Sequence, residues 1–481
     1  MGEVDDTAGL RINEPQGRLL LLTTILGSGM AFLDGTIANV ALPHIGAELD
    51  ADLAGLQWVI NGYTLTLASL ILIGGSLGDR LGRKRVYAWG IGGFAIMSLA
   101  CALAPTIETL VGARLLQGVA AALLTPGSLA MLQASFHPDD RMKAIGAWTG
   151  MLGIATAGGP VVGGWLVGID WRLAFWINLP LAAIILVLLR WAPESRDEHA
   201  SHHTDVPAVL LAPIGLAGIT WALTAWPETG ASATTLASLA VGVLACVAFV
   251  VAERSERDPM VPLSMFANRT FSVINLVTLL VYAALSGSMF FLAVYLQVSA
   301  GWTPLAAGAA TVPMSIVMLF LASRFGGVAT RYGARTPMLA GSLVIVVALS
   351  LLALAPDDPS FVRHILPGVT LMGFGLSMLV APLTGTVLAA APQSRSGLAS
   401  GINNAVSRTA GLLAIAVLPL VVGLSGREYE QGPAVADAYR GAMWSCAALV
   451  LAGAVLAALG LQQRCDQASV VAPEREATAT S

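Results

Sequence analysis

Asp34, Arg114 and Gln117 stand inside long apolar stretches, where a charged or amide side chain has no water to bind. An ion at the centre of a bilayer costs about 2.5–3.5 kcal/mol on insertion scales, so a side chain kept there points to a function. Counted from the ends of their apolar runs at about 1.5 Å per residue, Asp34 lies roughly 12 Å deep and Arg114 roughly 8–9 Å deep from the same side. Gln117 follows Arg114 at i+3, on the same helical face. The three share a depth and meet if their helices are neighbours. One reading is a permanent ion pair that only satisfies two costly charges. The other is a proton site: a nearby guanidinium favours the carboxylate, and separating the pair in low dielectric favours the protonated acid. Asp34 is also suited to attract a cationic substrate in competition with the proton. Arg408 is the second cation within an apolar run, suited to meet backbone carbonyls, an anionic group or Asp34. Trp58, Asn61 and Tyr63, near one end of their run, either line a cavity or join an interfacial aromatic belt.

Helices must position these side chains. Of 481 residues, 56% are hydrophobic and 11% charged, against about 25% charged in a soluble domain. Fourteen apolar runs are read, near 18–42, 57–77, 86–105, 109–132, 143–168, 173–192, 207–225, 234–252, 271–296, 305–324, 337–355, 364–390, 399–423 and 438–461. Crossing a hydrocarbon core of about 30 Å takes about 20 helical residues, so nearly every run can span a membrane. The expected fold is an all-α polytopic membrane protein. A net charge of −4 offers no basic field for nucleic acid. No phosphate-cradling loop ending in Gly-Lys-Ser/Thr is present, which argues against direct drive by ATP.

Between the second and third runs lies GSLGDRLGRKRVY, residues 75–87, a short polar joint holding Asp79, Arg80, Arg83, Lys84 and Arg85. Its glycines, Gly75, Gly78 and Gly82, suit a tight turn and close helix approach. Nineteen of the 25 Lys and Arg residues fall on the side of this joint, four on the other (Arg172, Arg363, Arg427, Arg440), and Arg114 and Arg408 inside helices. That bias places the joint and both termini in the cytoplasm. The chain also repeats itself: GSLGDRLGRK at 75–84 is echoed by GGVATRYGAR at 326–335, with Asp79 replaced by Thr330. Arg141 aligns with Arg395, and Thr125-Pro126 with Ala381-Pro382. These shifts set helices 1–6 parallel to helices 9–14, with helices 7 and 8 inserted, an arrangement suited to alternating access. The fifth run carries AGGPVVGGW, with Gly158, Gly159, Pro160, Gly163 and Gly164, permitting close contacts and a bend in lipid. DWRLAFWINLP at 170–180 suits an interfacial anchor at a helix start.

The expected units are a first six-helix bundle (1–192), a polar linker (193–206), two inserted helices (207–252), a second six-helix bundle (253–461) and a polar tail (462–481) expected to be disordered. The linker histidines His199, His202 and His203 lack a thiol or closing partner, so no metal site is read there, and no cofactor is expected. Cys101, Cys246, Cys446 and Cys465 suggest no disulfide framework, and no cleavable signal peptide is read at the acidic N-terminus.

Several of these stretches together resemble one family, the drug:H+ antiporters with fourteen helices of the major facilitator superfamily. LDGTIANVALPHI (33–45) is similar to its first-helix motif, GSLGDRLGRK to the superfamily loop motif, and RLLQGVAAALLTPG (114–127) to the helix 4 motif associated with proton coupling through Arg114 and Gly118. GPVVGG (159–164) resembles the antiporter motif of helix 5, with Ala155 where that family usually has glycine; DWRLAFWINLP and NNAVSRTAGLLAIA (403–416) are similar to stretches common in the fourteen-helix group. The resemblance implies export of hydrophobic or cationic compounds in exchange for protons, by a monomer in a bacterial cell membrane. It also implies a cytoplasmic latch of Asp79 and Arg83, with Asp79 near a helix N-terminus of the other half. A dedicated exporter of one metabolite or antibiotic, an importer or facilitator, and a non-transporting sensor are the alternatives.

Overall fold

The computed structural model describes residues 9–196, 205–256, 259–391 and 395–461. The linker histidines, Cys465 and the tail lie outside them. Among the described residues fourteen helices are long and apolar enough to cross a membrane: α1 (Pro15–Leu49), α2 (Leu53–Leu81), α3 (Arg83–Ala102), α4 (Ile107–Ser135), α5 (Pro138–Val167), α6 (Leu173–Trp191), α7 (Pro207–Thr229), α8 (Ala233–Ser255), α9 (Arg269–Ser299), α10 (Pro304–Ala322), α11 (Arg335–Ala353), α12 (Phe361–Ala389), α13 (Gly397–Val422) and α14 (Gly432–Gly460). They correspond one to one with the fourteen apolar runs. Helices answer the demand that every backbone N–H and C=O be paired within the segment when lipid surrounds it. Polar side chains close several ends where the apolar runs stop. Asp52 accepts from the Gly55 N–H at 2.8 Å, Asn268 from Thr270 at 2.9 Å, and Thr106 and Thr109 form a reciprocal capping box.

The polar joint at 75–87 is shorter than its composition suggests. α2 runs to Leu81 and α3 begins at Arg83, so Gly82 alone breaks the helix, at φ +106°. That left-handed angle is one only glycine adopts without strain. The echoed glycine, Gly333, breaks the chain between the α10 helix (which continues to Tyr332) and α11 at φ +83°. Pro126 and Pro382 likewise both lie inside their helices, α4 and α12. The start of the linker is docked on the first joint. Arg83 N–H donates to the Ser195 carbonyl at 2.9 Å, and Lys84 N–H donates to Glu194 Oε1 at 2.9 Å.

α7 and α8 pair with each other, and α7 lies against α2 and α13. Only 17% of the apolar stretch of α8 is buried, against 61% in α2, so α8 lies at the periphery, turned outward. α5 packs against α1 and, through its glycines, against α10: a Cβ on Gly163 would meet Ile37 at 2.8 Å, and one on Gly164 the Pro304 carbonyl at 2.4 Å. No such crowding surrounds Gly158.

The end of the bundle opposite Gly82 is closed. Tyr429 donates to the Ala51 carbonyl at 2.5 Å, Leu53 N–H to Gly426 at 3.1 Å, Gln57 to the Ile415 carbonyl at 2.5 Å, and Gln297 to the Val40 carbonyl at 3.1 Å. Arg427 pairs with Asp50 at 2.5 Å. Burial pushes the Tyr429 phenol up to about 12, so it stays a neutral donor at this clasp. Within the anchor expected at 170–180, Trp176 is exposed, whereas Trp171 is 2% exposed and donates to Glu48 Oε2 at 2.7 Å, tying the chain just before α6 to the end of α1.

Candidate functional site

Asp34 in α1, Arg114 and Gln117 in α4 come together, and all three are essentially without solvent exposure. Arg114 Nη1 donates to Asp34 Oδ2 at 2.5 Å and to Gln117 Oε1 at 2.7 Å, while Gln117 Nε2 donates to Asp34 Oδ1 at 2.9 Å. Two residues not singled out in the sequence complete the cluster. Asn178 of α6 donates to Asp34 Oδ1 at 3.0 Å, and Ser98 Oγ of α3 accepts from Gln117 at 2.8 Å and from Asn178 at 3.2 Å. The carboxylate therefore has three donors from two helices. A buried ion holds its place only when its lone pairs are met in this way. The Arg114 guanidinium lies 4.4 Å from the centre of the Tyr63 ring, and its Nε donates to the Val59 carbonyl at 3.0 Å. Gly118 makes that reach available. A Cβ there would stand 2.3 Å from the Tyr63 carbonyl and 2.1 Å from Thr66 Oγ1, so only glycine lets α4 sit this close to α2.

A cavity of about 1320 Å³ opens on the Gly82 end of the molecule. Its mouth is lined by Gly75, Gly78, Asp79, Arg80 and Arg83, by Asp205, Glu253 and Glu256 beside α7 and α8, and by Arg395. Its deep end is lined by Ser28, Phe32, Tyr63, Trp148, Asn404 and Arg408. Of the five residues expected to face substrate, Tyr63 and Arg408 line this cavity and Asp34, Trp58 and Asn61 do not. The reason is geometric. The Trp58 end of α2 belongs to the closed side, where Gln57 is bonded to α13, and the Tyr63 ring lies over Arg114 next to the cavity. Asn61 is 1% exposed, and both its amide atoms lack partners.

The expected latch is also arranged differently. Asp79 accepts from its own neighbour Arg83 across the Gly82 break, at 2.8 Å from Nε and 2.7 Å from Nη2, and both face the open mouth. Lys84 turns away, donating to the Ala192 carbonyl at 2.7 Å. In α5, Gly159 abuts Thr36 of α1, and the Pro160 carbonyl faces Gly308 of α10. Glu253 was hidden in the sequence by its place at the edge of a run. It is 2% exposed, accepts from Val261 N–H at 3.0 Å, and lies within hydrogen-bonding reach of Asp205.

A cavity between helix bundles, open at one end and closed at the other, is a transporter's geometry. Residues 24–415 match the Major Facilitator Superfamily profile, with a second, overlapping match over 274–480. The chain belongs to the major facilitator superfamily. Within that superfamily it is 35% identical over 434 residues to the methylenomycin A resistance protein of Streptomyces coelicolor, covering 89% of this chain and 90% of the relative. It is 34% identical over 408 residues to the multidrug resistance protein Stp of Mycobacterium tuberculosis (84% and 75%), and 33% identical over 413 residues to the tetracenomycin C resistance and export protein of Streptomyces glaucescens (84% and 75%). Among solved structures the fold is shared with a bacterial homologue of the human lysosomal transporter Spinster in an inward-facing, unoccupied conformation, at a TM-score of 0.68, 19% identity, and 93% and 97% coverage. A peptide transporter is similar at a TM-score of 0.67 and 18% identity, with 93% and 96% coverage.

Proposed function

We propose that the protein is a proton-coupled efflux transporter that exports hydrophobic small molecules by alternating access. The relatives' names supply the cargo class: each is a resistance or an export protein. The observation that carries the coupling is the dry cluster around Asp34, set directly behind the wall of the cavity and separated from it by Tyr63. In this reading residues 1–192 and 253–461 tilt as two units, with 207–252 as a peripheral hairpin, and a single copy contains the whole pathway. The Lys/Arg bias supports an open mouth and termini on the cytoplasmic side of a bacterial cell membrane. The inward-open form is then the one that takes up cargo. A rearrangement of α1 against α4 within the first unit, driven by the tilt, would lengthen the Arg114–Asp34 contact, and the stranded carboxylate would take a proton from the far side. Return of the contact would release it inside. Asp79 and Arg83, paired with each other while the mouth is open, would change partners when it shuts.

The test is Asp34→Asn, a near-isosteric change that keeps an acceptor for Arg114 and removes the titrating group. In everted vesicles the variant should insert normally and lose substrate-driven proton release, measured with a pH dye, together with gradient-driven accumulation. Transport at the wild-type rate would overturn Asp34 as the coupling site. A wild-type protein that accumulates cargo equally after the proton gradient is collapsed would overturn the coupling itself.

A further inference from the structure

The deep end of the cavity carries one charged side chain, Arg408, halfway along α13. From Gly397 at the start of that helix the depth is roughly 16 Å at about 1.5 Å per residue. No hydrogen bond or ion pair ties Arg408 to another described residue; its guanidinium lies 5.6 Å from the centre of the Phe32 ring, and it is within Coulombic range of the Tyr63 and Tyr282 hydroxyls. The acids that would suit a cation are elsewhere. Asp34 is behind the wall and matched by Arg114, Asp79 is held by Arg83, and Asp205, Glu253 and Glu256 stand at the mouth. A guanidinium this deep is costly to keep and presents a planar fork of donors that suits a carboxylate. Around it Phe32, Tyr63 and Trp148 offer ring faces, and Asn404 offers a neutral amide.

We propose that Arg408 is a specificity-determining residue that binds an acidic group of an aromatic cargo, with the cargo's rings against Phe32 and Tyr63. The inference rests on the efflux reading for the cavity being the cargo site, and narrows its cargo to aromatic molecules bearing a carboxylate or a similarly ionised oxygen. Geometry favours this orientation over the reverse. An anion meeting Arg408 gains charge-assisted hydrogen bonds that no side chain now supplies, while a cation at the same place meets a like charge.

Equilibrium binding to purified protein in detergent tests it without any proton gradient, so a failure of the coupling mechanism leaves this measurement untouched. Three probes share one ring system: anthracene-2-carboxylate, its carboxamide, and 2-(aminomethyl)anthracene. The wild type should hold the carboxylate roughly tenfold or more tighter than the carboxamide, since a hydrogen bond to a charged group is worth about a decade of affinity. The amine should bind more weakly still. Arg408→Gln should erase the preference, Arg408→Lys should keep part of it, and Arg408→Glu should invert it in favour of the amine. Arg408→Lys keeps the charge if the neutral variant misfolds, and elution as a single species on gel filtration checks each protein. Equal wild-type affinity for carboxylate and amine, or the same charge ranking in Arg408→Gln, would overturn the proposal. So would no binding of the carboxylate at all.

Discussion

The two groups of helices, α1–α6 and α9–α14, each hold six spans and an echoed glycine break, yet differ in the polar chemistry they bury. In the first, a carboxylate and a guanidinium are enclosed with Ser98, Gln117 and Asn178, all out of reach of the cavity. In the second, Asn403 donates to Asn275 at 3.1 Å and to Thr278 at 2.8 Å, a neutral contact between α13 and α9, and the charge, Arg408, faces the cavity instead. A neutral amide pair stabilises one packing and has little to switch. An ion pair in low dielectric stabilises one packing strongly and penalises any that splits it, which is what a proton can relieve. The difference teaches that two groups of helices with echoed sequence can bury different chemistry, and on the proposed mechanism the coupling lies in the first alone.

The strongest way to break this contrast is Arg114→Ala. It leaves Asp34 buried without its cation, so it should destabilise the folded protein by about 3–5 kcal/mol, seen as a lower melting temperature in detergent, with transport abolished. The pair Arg114→Gln with Asp34→Asn should recover most of the melting temperature and none of the proton release. An unchanged melting temperature in Arg114→Ala would mean that the pair carries no stored cost. A smaller effect is expected from Asp79→Asn, which leaves position 79 uncharged, as Thr330 is in the echo. Turnover in vesicles should fall a few-fold with expression intact, and an unchanged rate would leave the joint as a topology anchor. The smallest belongs to Asn403→Ala. Losing two neutral hydrogen bonds should cost about 1–3 kcal/mol of stability, with proton release per substrate unaltered. A loss of coupling there would erase the contrast between the halves.

Much of this was legible in the residues. Fourteen apolar runs became fourteen helices, because lipid leaves a chain no other economical way to pair its backbone. The shared depth of Asp34, Arg114 and Gln117 was legible, since charges so scarce in hydrocarbon stand out, and the adjacency of α1 and α4 then brings them together. Ser98 and Asn178 did not stand out. Serine is common in membrane helices, and Asn178 falls within DWRLAFWINLP, which read as an interfacial anchor. Depth also says nothing of azimuth. It could not tell that Tyr63 would screen Asp34 from the cavity, or that Trp58 and Asn61 belong to the closed end. Which end stands open was not legible either, because a sequence shared by all conformations carries no record of that.

The clasp opposite Gly82 has a consequence of its own. The ion pair that joins Arg427 to Asp50 there is largely bathed in water, with side chains 55% and 82% exposed, and the clasp's hydrogen bonds from Tyr429 and Gln57 end on main-chain oxygens. Such a lid is fastened by geometry more than by attraction, and dissolved electrolyte weakens that exposed pair. Its side-chain donors, Gln57, Gln297 and Tyr429, are not among the residues lining the cavity, so substitutions that retune the cavity wall leave those bonds in place.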